Sequence, residues 1–400
     1  MSSNEVVSST KTGRHALVLA GGGITGLMYE VGALRAINAL LVDRTVNDFD
    51  VYVGTSAGAL AGALLANGFT ADELVQMIDQ RHPLLHDVRL RDFLQLNRMD
   101  TLRRLRTLPQ ALYGVGRTLV RNRHDLDVVD LLWELAGVLP SGFYSTDPLE
   151  QAVRTLFARA GRPNAFAELT KTLYLVATDL DTGERAVFGP ETPIAPPISR
   201  AVAASSAVPV LYQPVTIGAH DYVDGGLHGA ASLDLAIEAG ANLVVCINPL
   251  APLAADGTAA ARPIRTQGFH TVINQTVRTL FHAGVRYHVK HLRAKYPTVD
   301  ILLIEPQRAD ETLFRAHPMH YRSRSAVAEQ GFQSVIMGLH ANLVHVREVL
   351  ARHGIPFALD YLTPEALAPV LDEAIGQTER PLLTVLTELE ANLHRLKTVL

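Results

Sequence analysis

The chain has 400 residues and a formal net charge of −4, which gives no general case for nucleic acid as a partner. Apolar residues make up 48% of it, enough for a substantial core in one large domain or two ordinary ones. The single cysteine, Cys246, excludes an intrachain disulfide framework and fits a reducing compartment.

The first fourteen residues are polar and lack the apolar centre of a secretory signal, so residues 1–14 are expected to form a tail. No stretch reaches the ~18 uninterrupted apolar residues of a membrane span. The expectation is a cytoplasmic protein, peripheral on a membrane at most. ALVLA (16–20) reads as a short buried strand. Three glycines follow, and then Ile24, Leu27, Met28, Val31, Leu34, Leu40 and Leu41 fall close to a helical stripe. DFDVYVGTS (48–56) is a second strand, and AGALAGALLANG (57–68) a helix rich in small residues. Strand, tight turn and helix thus occur twice in succession, the pattern of an α/β sheet. Residues 71–135 read as helical. TLYLVATDL (172–180) pairs with ERAVF (184–188) across a turn at Asp181 to Gly183. Further strands lie near 213–223, at ANLVVCIN (241–248) and at DILLIEP (300–306). Ala251 to Thr266 reads as a loop or an internal boundary. A helix follows from about 268 to 295, with Phe269, Ile273, Val277, Leu280 and Gly284 along one stripe taken as core or cap. Helices continue to the end.

Two motifs carry chemistry. Gly21, Gly23 and Gly26 fit G-x-G-x-x-G, the fingerprint of a dinucleotide-binding turn. A dinucleotide fold needs an acid at the tip of its second strand, and here that strand ends in Gly54-Thr55-Ser56. Residues 54–58 read GTSAG, a G-x-S-x-G between an apolar strand and a helix, the placement a nucleophilic serine requires. Gly54 and Gly58 let chain and substrate come close. With a serine on the neighbouring strand, the glycine loop reads better as an oxyanion hole, its backbone donors coming from Gly22 and Gly23.

The base is open among several residues. Sixteen histidines are present, most of them after residue 269 in helical text. His220 and His228 flank YVDGGL, and Asp224 of Asp224-Gly225-Gly226 ends a short apolar strand. No histidine spacing suggests a metal site, and no cofactor is expected. Upstream stands AVAASSAVPVLYQP, an alanine-rich helix ending near Ser205, Ser206 and Pro209.

The set GGGITG, GTSAG, AASSAVP and DGG, in this order and spacing, resembles the patatin-like phospholipases. The resemblance covers about residues 15–250. It implies a three-layer α/β/α fold with a mostly parallel central sheet. The chain's own pattern adds a helical, arginine-rich insertion at 71–135 and a helical C-terminal extension at 351–400, within and beyond a catalytic domain spanning 15–350. The resemblance implies lipid acyl hydrolysis by a Ser-Asp dyad, with Ser56 as nucleophile and Asp224 as base. Gly21, Gly22 and Gly23 would line the oxyanion hole, supported by Gly26, Gly54, Gly58, Gly225 and Gly226. The family's first block usually carries an arginine before its last glycine, and this chain has Thr25 there. An acyltransferase or non-lipid esterase using the same dyad stays open, as does a silent membrane-binding scaffold.

Residues 81–123 hold ten arginines against three aspartates, interleaved with leucines. This segment would dock on anionic headgroups or form a solvated helical face. Leu382, Leu386, Leu389, Leu393, Leu396 and Leu400 form a seam of under three heptads. It is expected to pack on the body, with a homodimer contact as the alternative.

Overall fold

The computed structural model describes residues 13–85, 140–193, 195–254, 263–306, 314 and 324–358. The N-terminal tail through residue 12, the arginine segment beyond Leu85 and the leucine seam at 382–400 lie outside the described residues.

In chain order the first unit is β1 (Arg14–Leu19), α1 (Gly23–Leu40), β2 (Val51–Thr55), α2 (Ala57–Ala66) and α3 (Ala71–Ile78). A second stretch holds β3 (Gly142–Tyr144), α4 (Asp147–Arg159), β4 (Thr172–Asp179), β5 (Arg185–Phe188) and α5 (Ile198–Ser205). Next come β6 (Val210–Tyr212), β7 (Val215–Ile217), β8 (His220–Asp224), α6 (Leu233–Glu238) and β9 (Ala241–Ile247). The last described elements are α7 (Phe269–Lys295), β10 (Asp300–Ile304), α8 (Arg324–Ala341) and α9 (Leu343–Arg352).

The main sheet runs β10-β9-β1-β2-β4-β8-β7, with β5 also paired to β4. The five strands from β10 to β4 are parallel; β5 and β8 pair antiparallel with β4, and β7 pairs antiparallel with β8. Alternation along β1 builds the two sides of the core. Leu17 and Leu19 face α1, α2, α5 and α8, while Ala16 and Val18 face α6 and α7. All four are fully buried, each leucine contributing about 2–3 kcal/mol by leaving water. The result is three layers, α/β/α, as the family resemblance implies. No described helix is long and apolar enough to cross a membrane.

Two helices differ from their sequence reading. α1 is buried on nearly all sides rather than along a stripe. Its contact with α8 is close because Gly32 and Gly331 carry no side chain. A Cβ at Gly32 would collide with the Ala328 carbonyl, and one at Gly331 with that of Tyr29. In α7 the apolar stripe is exposed rather than core. Phe269 is 81% and Leu280 69% exposed, and the helix is seated instead through Arg278, Val285, Val289 and Leu292.

Past α9, the Leu41–Phe357 bridge and the Val42 N–H to Pro356 carbonyl bond hold residues 356–357 against the end of α1.

Candidate active site

Parallel strands deliver their C-terminal ends to one edge of the sheet, where the loops converge. β1 ends in Gly21-Gly22-Gly23, β2 in Ser56, and β9 in Asn248-Pro249. Asp224 arrives from the antiparallel β8. The register explains how the two meet: Thr55 lies beside Val176 of β4, and the next residue, Ala177, lies beside Asp224.

Ser56 sits on a sharp strand-to-helix turn with φ 56° and ψ −119°. A non-glycine residue holds this region only when its surroundings enforce it, at a cost on the order of 1–3 kcal/mol. The enforcement is visible in the flanking glycines. A Cβ on Gly54 would collide with the Gly58 carbonyl, and one on Gly58 with the Leu19 carbonyl. Ser56 is 5% exposed and Asp224 7%.

The Asp224 carboxyl is buried, which pushes it up to about 6, against hydrogen bonds from the Ser56 side chain and the Gly226 N–H. The Gly226 N–H donates to Asp224 Oδ1 at 2.8 Å. Gly225 has no room for a side chain against the Val176 carbonyl. Thr178 Oγ1 donates to the Asp224 carbonyl at 3.0 Å.

The AASSAVP segment touches both residues. The Ser56 N–H donates to Ser205 Oγ at 2.9 Å, and that hydroxyl donates onward to the Val176 carbonyl at 2.6 Å. Ser206 Oγ donates to the Ser56 carbonyl at 3.3 Å. The Asp224 N–H donates to the Ala207 carbonyl at 2.9 Å. Three consecutive residues at the end of α5 therefore hold the backbones of Ser56 and Asp224 in one frame. The sequence marks this block as support, but only the fold reveals which atoms it holds.

The glycine loop passes directly beside Ser56. A Cβ on Gly21 would stand 3.2 Å from Ser56 Cβ. The Gly21 N–H is committed to the Ala230 carbonyl at 3.0 Å. The N–H groups of Gly22 and Gly23 donate no hydrogen bond among the described residues. Both stand at the N-terminus of the 18-residue α1, where the helix dipole favours negative charge. Gly22 and Gly26 leave space that Pro249 fills. Thr25 is 1% exposed.

His220 and His228 are engaged elsewhere. His220 Nδ1 faces Asp179 at 3.0 Å and Asp181 at 3.9 Å, while His228 Nε2 bonds the Gly183 carbonyl at 2.8 Å. Asp179, Asp181 and His220 bring their ligand-type atoms within 4.8 Å of one another, at the β4–β5 turn whose amides Asp179 Oδ1 already accepts. Cys246 is a buried strand residue, and burial pushes its thiol up.

An apolar trough opens beside the site. It begins at Ile24, the residue after Gly23, and at Leu60, one turn past Ser56. It follows α1 to Val31 and α2 to Leu64, walled by Leu74 and Met77 of α3 and Leu149 and Ala152 of α4. Its volume is about 820 Å³, part of it open to solvent. A second apolar cavity, around Ile37, Phe49 and Leu350, includes His15 and Phe49 from the opposite ends of the strands.

A family model described as patatin-like phospholipase matches residues 17–237. The Bacillus subtilis protein YqhO is 28% identical over 221 residues, covering 52% of this chain and 62% of its own length. A cUMP-AMP-activated phospholipase of Escherichia coli is 30% identical over 108 residues, 26% of this chain and 33% of its own. The chain therefore spans less than two thirds of either relative. Among solved structures, VipD from Legionella pneumophila aligns over 82% of this chain and 67% of its own, with a TM-score of 0.37 and 15% identity.

Proposed function

The chain belongs to the patatin-like phospholipase family, and from that premise we propose that it hydrolyses lipid acyl esters through Ser56 and Asp224. The observation that carries the reading is the Ser56 turn, strained at φ 56°, beside a buried Asp224 carboxyl whose ionised form the Ser56 side chain favours.

Asp224 accepts the Ser56 hydroxyl proton as Oγ attacks the ester carbonyl carbon. The carbonyl electron pair moves onto oxygen, and the N–H groups of Gly22 and Gly23 receive that charge. Gly21 serves by lacking a side chain against Ser56. Collapse of the tetrahedral intermediate expels the alcohol or lysolipid, which takes the proton from Asp224 and leaves an acyl-serine. Asp224 then deprotonates a water that attacks the acyl-serine. Collapse of this second intermediate breaks the bond to Ser56 Oγ, which takes the proton back from Asp224 as the carboxylic acid is released. A carboxyl raised to about 6 is a stronger base than an ordinary aspartate and is still mostly ionised at neutral pH.

The trough from Ile24 and Leu60 favours an acyl substrate over a polar ester. It offers apolar walls that begin one helical turn past Ser56 and at the residue after Gly23. The arginine segment at 81–123 is assigned to anionic headgroups in the same reading. The test is lipid-by-lipid comparison of products from wild type and Asp224→Asn. Fatty acid released from phospholipid by wild type alone supports the reading. Equal release, or none from any acyl ester, contradicts it.

A further inference from the structure

The helix α7 separates its residues by face and by length. Its buried side holds Arg278, Val285, Val289 and Leu292. The opposite face carries Phe269, Val272, Ile273, Val277 and Leu280, which are 81%, 42%, 45%, 41% and 69% exposed, and Tyr287, 75% exposed. At 100° per residue these six positions fall within one arc, and at 1.5 Å per residue the arc is roughly 27 Å long. Scattered exposed apolar residues need no explanation, but a contiguous face of this kind marks an interaction surface.

The charge pattern indicates what covers it. All 27 residues of α7 are free of Asp and Glu. Before Val285 its one Lys or Arg is Arg278, which is turned inward onto the Pro249 and Ala251 carbonyls. After Tyr287 the same outer arc continues through Lys290, His291 and Lys295, all exposed. An apolar stretch passing into a basic one along a single face suits a bilayer surface, with the apolar part among acyl chains and the cations at anionic headgroups. A protein partner would more often meet such a face with mixed charge at its rim.

The helix also adjoins the candidate site. The Phe281 ring lies 3.8 Å from where a Cβ on Gly226 would be, two residues after Asp224. Leu227, in the same DGG turn, is 59% exposed. A bilayer held on this face lies next to the end of the sheet where Ser56 and Asp224 meet.

We propose that the outer face of α7, from Phe269 to Lys295, docks the protein on an anionic lipid surface. This deepens the hydrolase reading by naming the surface through which lipid is presented. The docking is measurable without turnover.

The experiment uses full-length Ser56→Ala protein with phosphatidylcholine vesicles, with or without phosphatidylglycerol, separated by flotation. Into this protein Phe269→Trp is introduced, and quenching of its emission by brominated lipid is compared with the parent, whose one tryptophan is Trp133. The expected result is added quenching of the indole at position 269 on anionic vesicles. Ile273→Ser with Leu280→Ser lowers the bound fraction about tenfold, and Lys290→Gln with Lys295→Gln weakens the preference for anionic over neutral vesicles. These positions are exposed, so the substituted proteins keep their fold, checked by unchanged circular dichroism. Flotation without quenching at position 269 overturns the proposal and assigns docking to another surface. So does absence of flotation, or concentration-dependent dimerisation that Ile273→Ser abolishes. Binding with no hydrolysis by the Ser56 enzyme defeats the hydrolase reading alone, and hydrolysis without binding defeats the docking proposal alone.

Discussion

The N–H of Ser56 donates to the hydroxyl of Ser205 at 2.9 Å across 149 positions of sequence. That one bond, passed on to the Val176 carbonyl at 2.6 Å, ties the strained turn to the neighbouring strand. Ser205 is fully buried, so its removal leaves the Ser56 N–H and the Val176 carbonyl without this partner. Ser205→Ala should cost about 1–3 kcal/mol of stability. It should also lower kcat about tenfold by loosening the position of Oγ, with KM close to wild type. Denaturant unfolding and steady-state kinetics check the two effects. A loss of stability with kcat unchanged would make Ser205 structural only.

Asp224 links activity to stability in opposite directions. Its folded-state carboxyl stands at about 6, raised by burial from an ordinary 3.8. Below pH 4 both folded and unfolded states are protonated and nothing is lost. Between about 4 and 6 the unfolded state ionises first, so stability falls as pH rises and then levels off. The loss approaches about 3 kcal/mol. Asp224→Asn removes this penalty, so its Tm should exceed wild type at pH 8 and match it near pH 4, while hydrolysis is abolished. In wild type, kcat/KM should rise with pH through about 6, as the base ionises, and then stay flat.

The trough beside Ile24 and Leu60 sets an acyl-length expectation. Ala152 is half-buried on its α4 wall and Met77 on its α3 wall. Ala152→Phe should shorten the preferred chain, lowering the decanoyl-to-acetyl rate ratio about tenfold. Met77→Ala should shift the optimum to longer chains. A series of nitrophenyl esters reads both shifts, and an unchanged profile in both variants would assign the trough to packing rather than substrate.

Glu30 tests the packing of α1. It is fully buried between α1 and its neighbours, and neither carboxylate oxygen has a hydrogen-bond partner among the described residues. Burial pushes its carboxyl well above the usual range, so the folded state keeps it protonated while the unfolded state ionises. Stability is therefore lost as pH rises past the ordinary glutamate value. Glu30→Met should raise stability by about 1–3 kcal/mol at pH 8 and by less near pH 4. Thermal melts at the two pH values measure the difference.

Much of the architecture is legible in the sequence because it is local. Apolar runs such as ALVLA and NLVVCIN mark buried parallel strands, and glycines mark the turns that follow. The meeting of Ser56 with Asp224 is not local. It depends on a strand register, Thr55 to Val176 and Ala177 to Asp224, that no spacing in the chain reveals. The hydroxyl of Ser205 is likewise one of two adjacent serines until the fold selects its partner. In α7 the periodicity correctly finds a helix and an apolar stripe, but periodicity cannot say which face is turned inward. Arg278 makes the buried side by finding two backbone carbonyls, and the apolar stripe is left outside.

The central claim is that Ser56 is a nucleophile activated by Asp224. Fluorophosphonate labelling followed by peptide mass spectrometry tests it most directly. The account predicts one adduct, on Ser56, absent from Ser56→Ala and formed far more slowly by Asp224→Asn although that variant is folded. An adduct on another residue, or equal labelling of Ser56→Ala, would contradict it.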